Sequence, residues 1–397
     1  MAQPPAFRIA VLNTHPIQYF TPLYRYLNAT DDVDVSALFL SDFNMSGGHD
    51  PEFGQKISWD IDLLGGFDHQ FLPGRGAHKY PLGFWTYVCP ALWRVLRADK
   101  FDALWLHGHG FAANILALAI ARWRGIAVFM RGETHGEAHA TGLKRRIRAA
   151  LMPLLYRQCA QMLAIGSRNA DHYRALGISD DKISLVPYSV DNARFAASAA
   201  AADRAGVRAR HGIDKDAMVI LYASKLTVRK RICDLVEAVA NLHDRGQAAH
   251  LLIVGSGEEQ ARAEALAAAR GIADACHFVG FVNQAGLPEY YAASDIFVLP
   301  SENENWGLIV NEVMAAGLPV VLSREIGCVA DLLREGENGA VFEAGDVAGL
   351  TDALAPMVAD PELTRRMGDA SRAIIAQWGY AQCLAGIRQA IARVRAA

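Results

Sequence analysis

No two of the six cysteines (Cys89, Cys159, Cys233, Cys276, Cys328 and Cys383) form a C-x-x-C pair, and none stands at zinc-ligand spacing. That excludes a zinc ribbon or a dithiol redox site and reads as buried, reduced thiols of a cytoplasmic protein. No uncharged apolar run of about 18 residues or more occurs, so no helical membrane span is expected. The first residues, from Met1 to Phe7, lack the basic and apolar regions of a secretory signal. A basic excess is missing too: 39 Lys and Arg stand against 42 Asp and Glu, a net charge of −3. Nucleic acid is therefore not an expected partner. What is present is ordinary globular material, 397 residues with 52% apolar and 20% charged. That length suffices for two domains, each with its own core.

Short apolar runs alternate with helical patterns. Arg8–Asn13, Val35–Leu40, Ala103–Leu106, Ala127–Met130, Gln161–Ile165 and Ile183–Val186 read as strands, with helices such as Ala112–Trp123 between them. Asp191–Asp216, rich in Ala, Asp and Arg, reads as a crossing and an entry helix. A fresh series follows: Met218–Ala223, His250–Val254, His277–Val279, Ile296–Leu299 and Pro319–Leu322 as strands, with Cys233–Asp244 and Glu258–Ala269 as helices. Leu363–Ala397 reads as helix throughout. The pattern predicts an α/β chain of two open parallel-sheet domains facing each other across a cleft, with ligands at the carboxyl ends of the strands. The expected division is 1–195 plus 378–397, and 196–377.

Charge divides unevenly. Residues 1–195 carry 20 Lys and Arg against 17 Asp and Glu, and the remainder 19 against 25. Lys144-Arg-Arg-Ile-Arg148 precedes an apolar stretch. Such a helix fits either a peripheral contact with an anionic membrane or a solvated face with a buried back.

The most informative stretch runs from Pro300 to Val320. A strand ends at Leu299, a polar loop follows, and a helix should start near Trp306-Gly307 with Asn305 as N-cap. Gly307 lets a ligand approach the backbone, and the free amides of Leu308 and Ile309 form an anion site at a helix N-terminus. Glu304 stands at the mouth and Glu312 inside the helix, where each can accept hydrogen bonds from hydroxyls. The plain alternative is a pair of solvated carboxylates.

Glu304-x7-Glu312, with Trp306-Gly307 after the first Glu and Met314-Ala-Ala-Gly317-x-Pro319-Val320 after the second, resembles the signature of the group-1 (family four) retaining glycosyltransferases of GT-B fold. Val254-Gly-Ser-Gly-Glu258, Phe278-Val-Gly-Phe281, Tyr291–Ser301 and Asp331–Gly339 resemble other segments of that family in order and spacing. The resemblance implies two Rossmann-like domains and a final helix, around Trp378-Gly379-Tyr380, that crosses back to the N-terminal domain. It places Gly255, Gly257, Phe281 and Trp306 beside a donor nucleotide. It gives the ribose to Glu312, the donor sugar to Glu304 and the pyrophosphate to Lys225 and Lys230, with the Leu308 and Ile309 amides. Lys225 stands where the family usually has Arg; it keeps the charge and loses the bidentate geometry. Arg229 or Arg231 could share that task.

Other motifs are less specific. Gly255-Ser-Gly257 fails as a dinucleotide fingerprint, because Gln260 stands where a third glycine belongs. His15, Gln18 and Tyr19 fall in the loop after the first strand, where the family often has glycines, and are assigned to the cleft. His107-Gly-His109 could suggest a metal pair, but no third ligand completes it, so His109 reads as cleft-lining. Arg131-Gly-Glu133-Thr-His135 follows the strand at which the family places a sugar-contacting His; Glu133 and His135 are the candidates. Asp32-x-Asp34 and Asp60-x-Asp62 read as structural or surface carboxylates, and no metal cofactor is expected.

The resemblance implies transfer of a sugar, with retention of configuration, from a nucleotide sugar to a hydroxyl of a glycan, a lipid-linked acceptor or a small molecule. The expected setting is polysaccharide, glycolipid or surface-glycan assembly, in the cytoplasm or at the inner face of the membrane. The alternatives are a GT-B epimerase or phosphorylase and a non-catalytic nucleotide-sugar binding protein.

Overall fold

Most of the apolar runs become strands of two parallel sheets, because a strand covered on both faces must be apolar along its whole length. A computed structural model describes residues 5–43, 45, 49–50, 55–56, 58–81, 83–133 and 151–396. The chain forms two compact units, one comprising Met1–Asp50, Lys56–Tyr188 and Tyr380–Ala397, the other Pro51–Gln55 and Ser189–Gly379. The expected boundaries at 195/196 and 377/378 thus move to 188/189 and 379/380.

The first unit holds strands β1 (Phe7–Asn13), β2 (Val33–Phe39), β3 (Asp68–Phe71), β4 (Ala103–His107), β5 (Ala127–Arg131), β6 (Gln161–Ala164) and β7 (Ile183–Leu185). Their order is β3-β2-β1-β4-β5-β6-β7. Helices α1 (Thr21–Asn28), α2 (Leu92–Val95), α3 (Ala112–Trp123) and α4 (Ser167–Ala175) belong to it. Leu12, Leu106, Met130 and Met162 from the strands pack with Ala117 and Ile120 of α3. Each buried aliphatic side chain of this kind contributes about 1.5–3 kcal/mol.

The second unit holds α5 (Asn192–Ala201), α6 (Arg204–Arg210), β8 (Val219–Ala223), α7 (Ile232–Asp244), β9 (His250–Val254), α8 (Gln260–Ala269), β10 (Cys276–Gly280), α9 (Leu287–Ala293) and β11 (Ile296–Leu299). It continues with α10 (Leu308–Ala316), β12 (Val320–Ser323), α11 (Val329–Leu332), β13 (Gly339–Phe342), α12 (Val347–Ala359) and α13 (Pro361–Ile375). Its sheet order is β10-β9-β8-β11-β12-β13. The last helix, α14 (Tyr380–Ala396), returns to the first unit. There the Cys383 thiol donates to the Pro187 carbonyl at 3.1 Å and Arg388 pairs with Asp32 at 2.7 Å.

Three expectations are corrected. Asp191–Asp216 holds two helices where one entry helix was expected: Asp191 and Asp203 accept from the Arg194 and Gly206 amides, so each caps a helix. Leu363–Ala397 is two helices, interrupted between Ile375 and Tyr380. Edge strands β3 and β13 escape the sequence, since β3 (Asp-His-Gln-Phe) is exposed at every position and β13 is four residues beginning with Gly339.

Both sheets reverse their direction of growth once. In the first, β1 to β3 extend one way and β4 to β7 the other; in the second, β8 to β10 and β11 to β13 do the same. The crevice at such a reversal, beyond the carboxyl ends of the strands, is where open α/β sheets bind ligands.

Candidate active site

The reversal in the second sheet lies between β8 and β11, which pair in parallel through Ile220–Ile296 and Leu221–Phe297. Loops leaving both strands therefore emerge at one edge. The loop after β8 carries Lys225, Arg229, Lys230 and Arg231; the loop after β11 carries Glu302 and Glu304. The Glu302 amide donates to the Arg229 carbonyl at 2.9 Å. Lys230 donates to Glu304 in a short ion pair, with Arg229 3.3 Å from the same oxygen, while Arg231 pairs with Glu302 and with Asp234 at 2.6 Å. Lys230 is 8% exposed. Burial pulls its ammonium pKa below the usual lysine value, and Glu304 opposes that pull.

The β9 loop joins this edge. The Leu226 amide donates to the Ser256 carbonyl at 3.0 Å and the Glu259 amide to the Leu226 carbonyl at 2.9 Å. A Cβ on Gly255 would stand 2.0 Å from the Ser224 carbonyl oxygen, at φ +140°, and one on Gly257 2.4 Å from that of Leu226. The two glycines therefore let the loops touch backbone to backbone, a role separate from any dinucleotide motif. Phe281, one residue past β10, is half-buried.

Helix α10 starts two residues later than an Asn305 cap would place it. Gly307, at φ +87°, is its cap and supplies no side chain, so Asn305 is not the N-cap. The leading amides, Leu308 and Ile309, have no acceptor within the helix. They face the same loop end as Glu304, whose Cγ lies 3.6 Å from the position of a Gly307 Cβ. The Trp306 ring is 3% exposed, donates from Nε1 to Asn311 at 2.9 Å and packs on Trp378 at 5.6 Å between centroids. Its side chain anchors the loop. Glu312, one turn into α10, is fully buried. Tyr291 Oη donates to one carboxylate oxygen at 2.5 Å and Gln284 Nε2 to the other at 3.4 Å.

In the first unit the reversal lies between β1 and β4. The β1 loop carries His15, Gln18 and Tyr19, all half-buried, with His15 Nδ1 3.0 Å from Thr14 Oγ1 and its ring edge-on to Phe43. The β4 end carries His107 and His109, and His109 Nδ1 lies 3.5 Å from Tyr156 Oη. Burial, and secondarily the Arg131 charge, hold the His107 imidazole pKa well below its usual value. Its Nε2 meets Tyr24 Oη at 3.1 Å, and its ring stacks on Phe20. At the end of β5, Tyr173 Oη accepts from the Gly132 amide at 2.8 Å, and Tyr188 Oη donates to Glu133 in a short bond. His135 and Lys144–Arg148 lie outside the described residues. Asp32 and Asp62 are engaged structurally, by Arg388 and by the Leu64 and Gly65 amides.

A family model described as Glycosyl transferases group 1 matches residues 203–374, and one described as Glycosyl transferase 4-like domain matches residues 17–189. The chain belongs to the group-1 glycosyltransferases. Among curated relatives of this chain is the D-inositol 3-phosphate glycosyltransferase of Geodermatophilus obscurus, 35% identical over 203 residues, 49% of this chain and 43% of that one. The alpha-D-kanosaminyltransferase of Streptomyces kanamyceticus is 28% identical over 54% of this chain and 55% of its own. The chain thus spans about half the length of the curated relatives it matches. Among solved structures, sucrose-phosphate synthase of Thermosynechococcus elongatus superposes with a TM-score of 0.70 at 20% identity, covering 98% of this chain and 99% of that one. Anabaena HepE in complex with UDP gives 0.73 at 15%, with the same coverage. At these identities the likeness is one of fold, GT-B.

The structure brings Lys230, Glu304, Arg229, Gly307, Leu308 and Ile309 to one edge, with Lys225, Gly255 and Gly257 on the adjoining loops. Glu312, one turn into α10, is fully buried and bonded to Tyr291 and Gln284. Arg131 was not among the residues singled out. Its guanidinium, 2% exposed, lies over the rings of Phe20, Trp105 and Tyr188 at 5.5, 5.8 and 4.6 Å. Its Nη2 donates to the Pro187 carbonyl at 3.4 Å, and Nε and Nη1 have no hydrogen-bond partner among the described residues. The signal was available: an arginine closes an otherwise apolar strand, where a buried cation is costly unless used.

Proposed function

We propose that the protein is a retaining glycosyltransferase that moves a sugar from a nucleotide sugar to an acceptor hydroxyl. The observation that carries this reading is the Lys230–Glu304 pair at a sheet reversal, beside the leading amides of α10. Lys225, Lys230 and the Leu308 and Ile309 amides are assigned to the donor diphosphate, where they offset the charge that develops on the leaving group. Glu304 is assigned to the donor-sugar hydroxyls. In the absence of ligand its carboxylate opposes the pull of burial on the Lys230 ammonium and holds it at this edge. Glu312 is assigned to the ribose, which must take the place of Gln284, the partner with the longer bond. The carboxyl edge of the first sheet, with His15, Gln18, Tyr19, His109 and Glu133, is assigned to the acceptor.

In the proposed step the acceptor oxygen bonds to the anomeric carbon on the face from which the diphosphate departs. The carbon–phosphate-oxygen bond breaks with its electron pair on the diphosphate, and the acceptor proton passes to a donor phosphate oxygen. No protein nucleophile and no metal enters this scheme. The UDP named in the HepE structure makes a uridine diphosphate sugar the first donor to try. Polysaccharide, glycolipid or surface-glycan assembly is the proposed setting.

The test is incubation of the chain with a panel of nucleotide sugars and acceptors, with the anomeric configuration of product read by NMR. Retained α configuration from an α donor supports the reading. Inverted product overturns retention. Product that forms only with inorganic phosphate, or an altered sugar without acceptor, replaces transfer by phosphorolysis or epimerisation. Donor binding with neither transfer nor hydrolysis leaves a binding protein.

A further inference from the structure

Helix α3 has a side that the core does not use. Ala113, Asn114, Ala117, Leu118, Ile120 and Ala121 are buried, whereas Leu116, Ala119 and Trp123, three and four residues apart, are exposed on one stripe. At the end of that stripe Trp123 is 72% exposed and stacks on Trp93 of α2, itself 49% exposed, with ring centroids 4.9 Å apart. At the other end the Ala112 amide donates to the Phe84 carbonyl, bringing in the exposed pair Phe84 and Trp85. Two stacked indoles held in water are costly, and an exposed apolar patch of this kind marks an interaction surface.

The charge around the patch narrows the occupant. Residues 83–125 carry Arg94, Arg97, Lys100, Arg122 and Arg124 against Asp99 and Asp102, in a chain of net charge −3. Both aspartates are already engaged, Asp99 by Arg97 and Asp102 by Arg8. Arg124 lies over both indoles, 4.8 and 5.9 Å from their centroids. A surface recess of about 570 Å³ beside them is lined by Trp93, Arg94, Arg97, Ala98, Asp99 and Arg124. The Arg94 side chain makes no hydrogen bond or ion pair among the described residues.

We propose that this face docks the protein on an anionic phospholipid bilayer, with Trp93 and Trp123 at the headgroup level and the recess receiving a lipid phosphate. Indoles favour the membrane–water interface, where one side is apolar and the other wet, and each cation near an anionic surface adds attraction. A second copy of the chain fits less well, because a two-fold contact through this patch would set one cluster of arginines against its twin. The surface is distinct from Lys144–Arg148, and it stands whether or not the reading of the donor edge holds.

The test is sedimentation of the full chain with vesicles of phosphatidylcholine, alone or mixed with phosphatidylglycerol. The wild-type protein should pellet with the mixed vesicles, less so as salt rises, and remain in solution with phosphatidylcholine alone. Trp93→Ala/Trp123→Ala and Arg94→Glu/Arg122→Glu should each weaken partitioning about tenfold or more, with the melting temperature unchanged. Should the double indole variant melt early, Trp123→Ala, which removes only the more exposed ring, gives the same reading with a smaller loss. Wild-type protein that stays in solution with both vesicles overturns the proposal. So does wild-type binding by the variants, equal binding to neutral vesicles, or a dimer by light scattering that the indole variant dissociates.

Discussion

Replacing Lys230 by Met keeps the aliphatic stem and removes the ammonium from beside Glu304. The side chains of Lys230 and Glu304 are 10% and 18% exposed, so the carboxylate left behind is largely dry. Removing one partner of a fully buried pair costs about 3–5 kcal/mol. Arg229 remains 3.3 Å from Glu304 but is half-exposed, so it offsets only part of this. We therefore expect Lys230→Met to lower the unfolding free energy by about 2–3 kcal/mol. Adding Glu304→Gln removes the stranded charge, so the double variant should recover about half of that loss or more. Nucleoside-diphosphate binding should behave differently. Loss of one charged hydrogen bond to a phosphate costs about 1.5–3 kcal/mol, roughly ten- to hundredfold in Kd, and Glu304→Gln should not restore it. Urea unfolding measures the first effect and calorimetry the second. Stability within about 0.5 kcal/mol of wild type for Lys230→Met, or affinity restored in the double variant, would refute the reasoning.

Glu304→Gln alone should abolish most turnover while the protein stays folded; turnover close to wild type would remove Glu304 from the sugar. Gly255→Ala should destabilise the second unit and weaken donor binding, because its methyl meets the Ser224 carbonyl; a wild-type melting curve would contradict that close approach. Arg131→Met should leave stability equal or higher, since two guanidinium nitrogens lack partners, while lowering turnover; undiminished turnover would leave Arg131 without a functional role. Burial holds His107 and His277 neutral, His277 down to about 4, whereas both protonate near 6.5 once unfolded. The unfolded chain thus binds more protons below about 6.5, and stability should fall as pH drops from there towards 4. In His277→Gln that fall should be shallower; an unchanged pH profile would deny the linkage.

The parallel sheets were legible because strands such as Ile296–Leu299 are buried on both faces and so continuously apolar. The exposed edge strand β3 was not, since nothing distinguishes Asp-His-Gln-Phe from a loop. Glu304 and Lys230 could be named from motif spacing, but their contact depends on β8 and β11 being neighbours, a non-local pairing that local pattern does not encode. Asn305 looked like the cap because short polar residues favour that position; the left-handed Gly307 overrode it. The burial of the Trp306 ring was not legible, because adjacency to a motif says nothing about where a ring points. Arg131 was passed over because its isolation among Phe20, Trp105 and Tyr188 draws on three separate segments.

The most direct measurement is calorimetric titration of the full chain with UDP, GDP, ADP and TDP, repeated on Lys225→Ala/Lys230→Ala. The account predicts that at least one diphosphate binds the wild-type protein and that the paired substitution weakens it about a hundredfold in a chain that still melts cooperatively. Equal affinity in both proteins, or no diphosphate bound by the wild type, would contradict it.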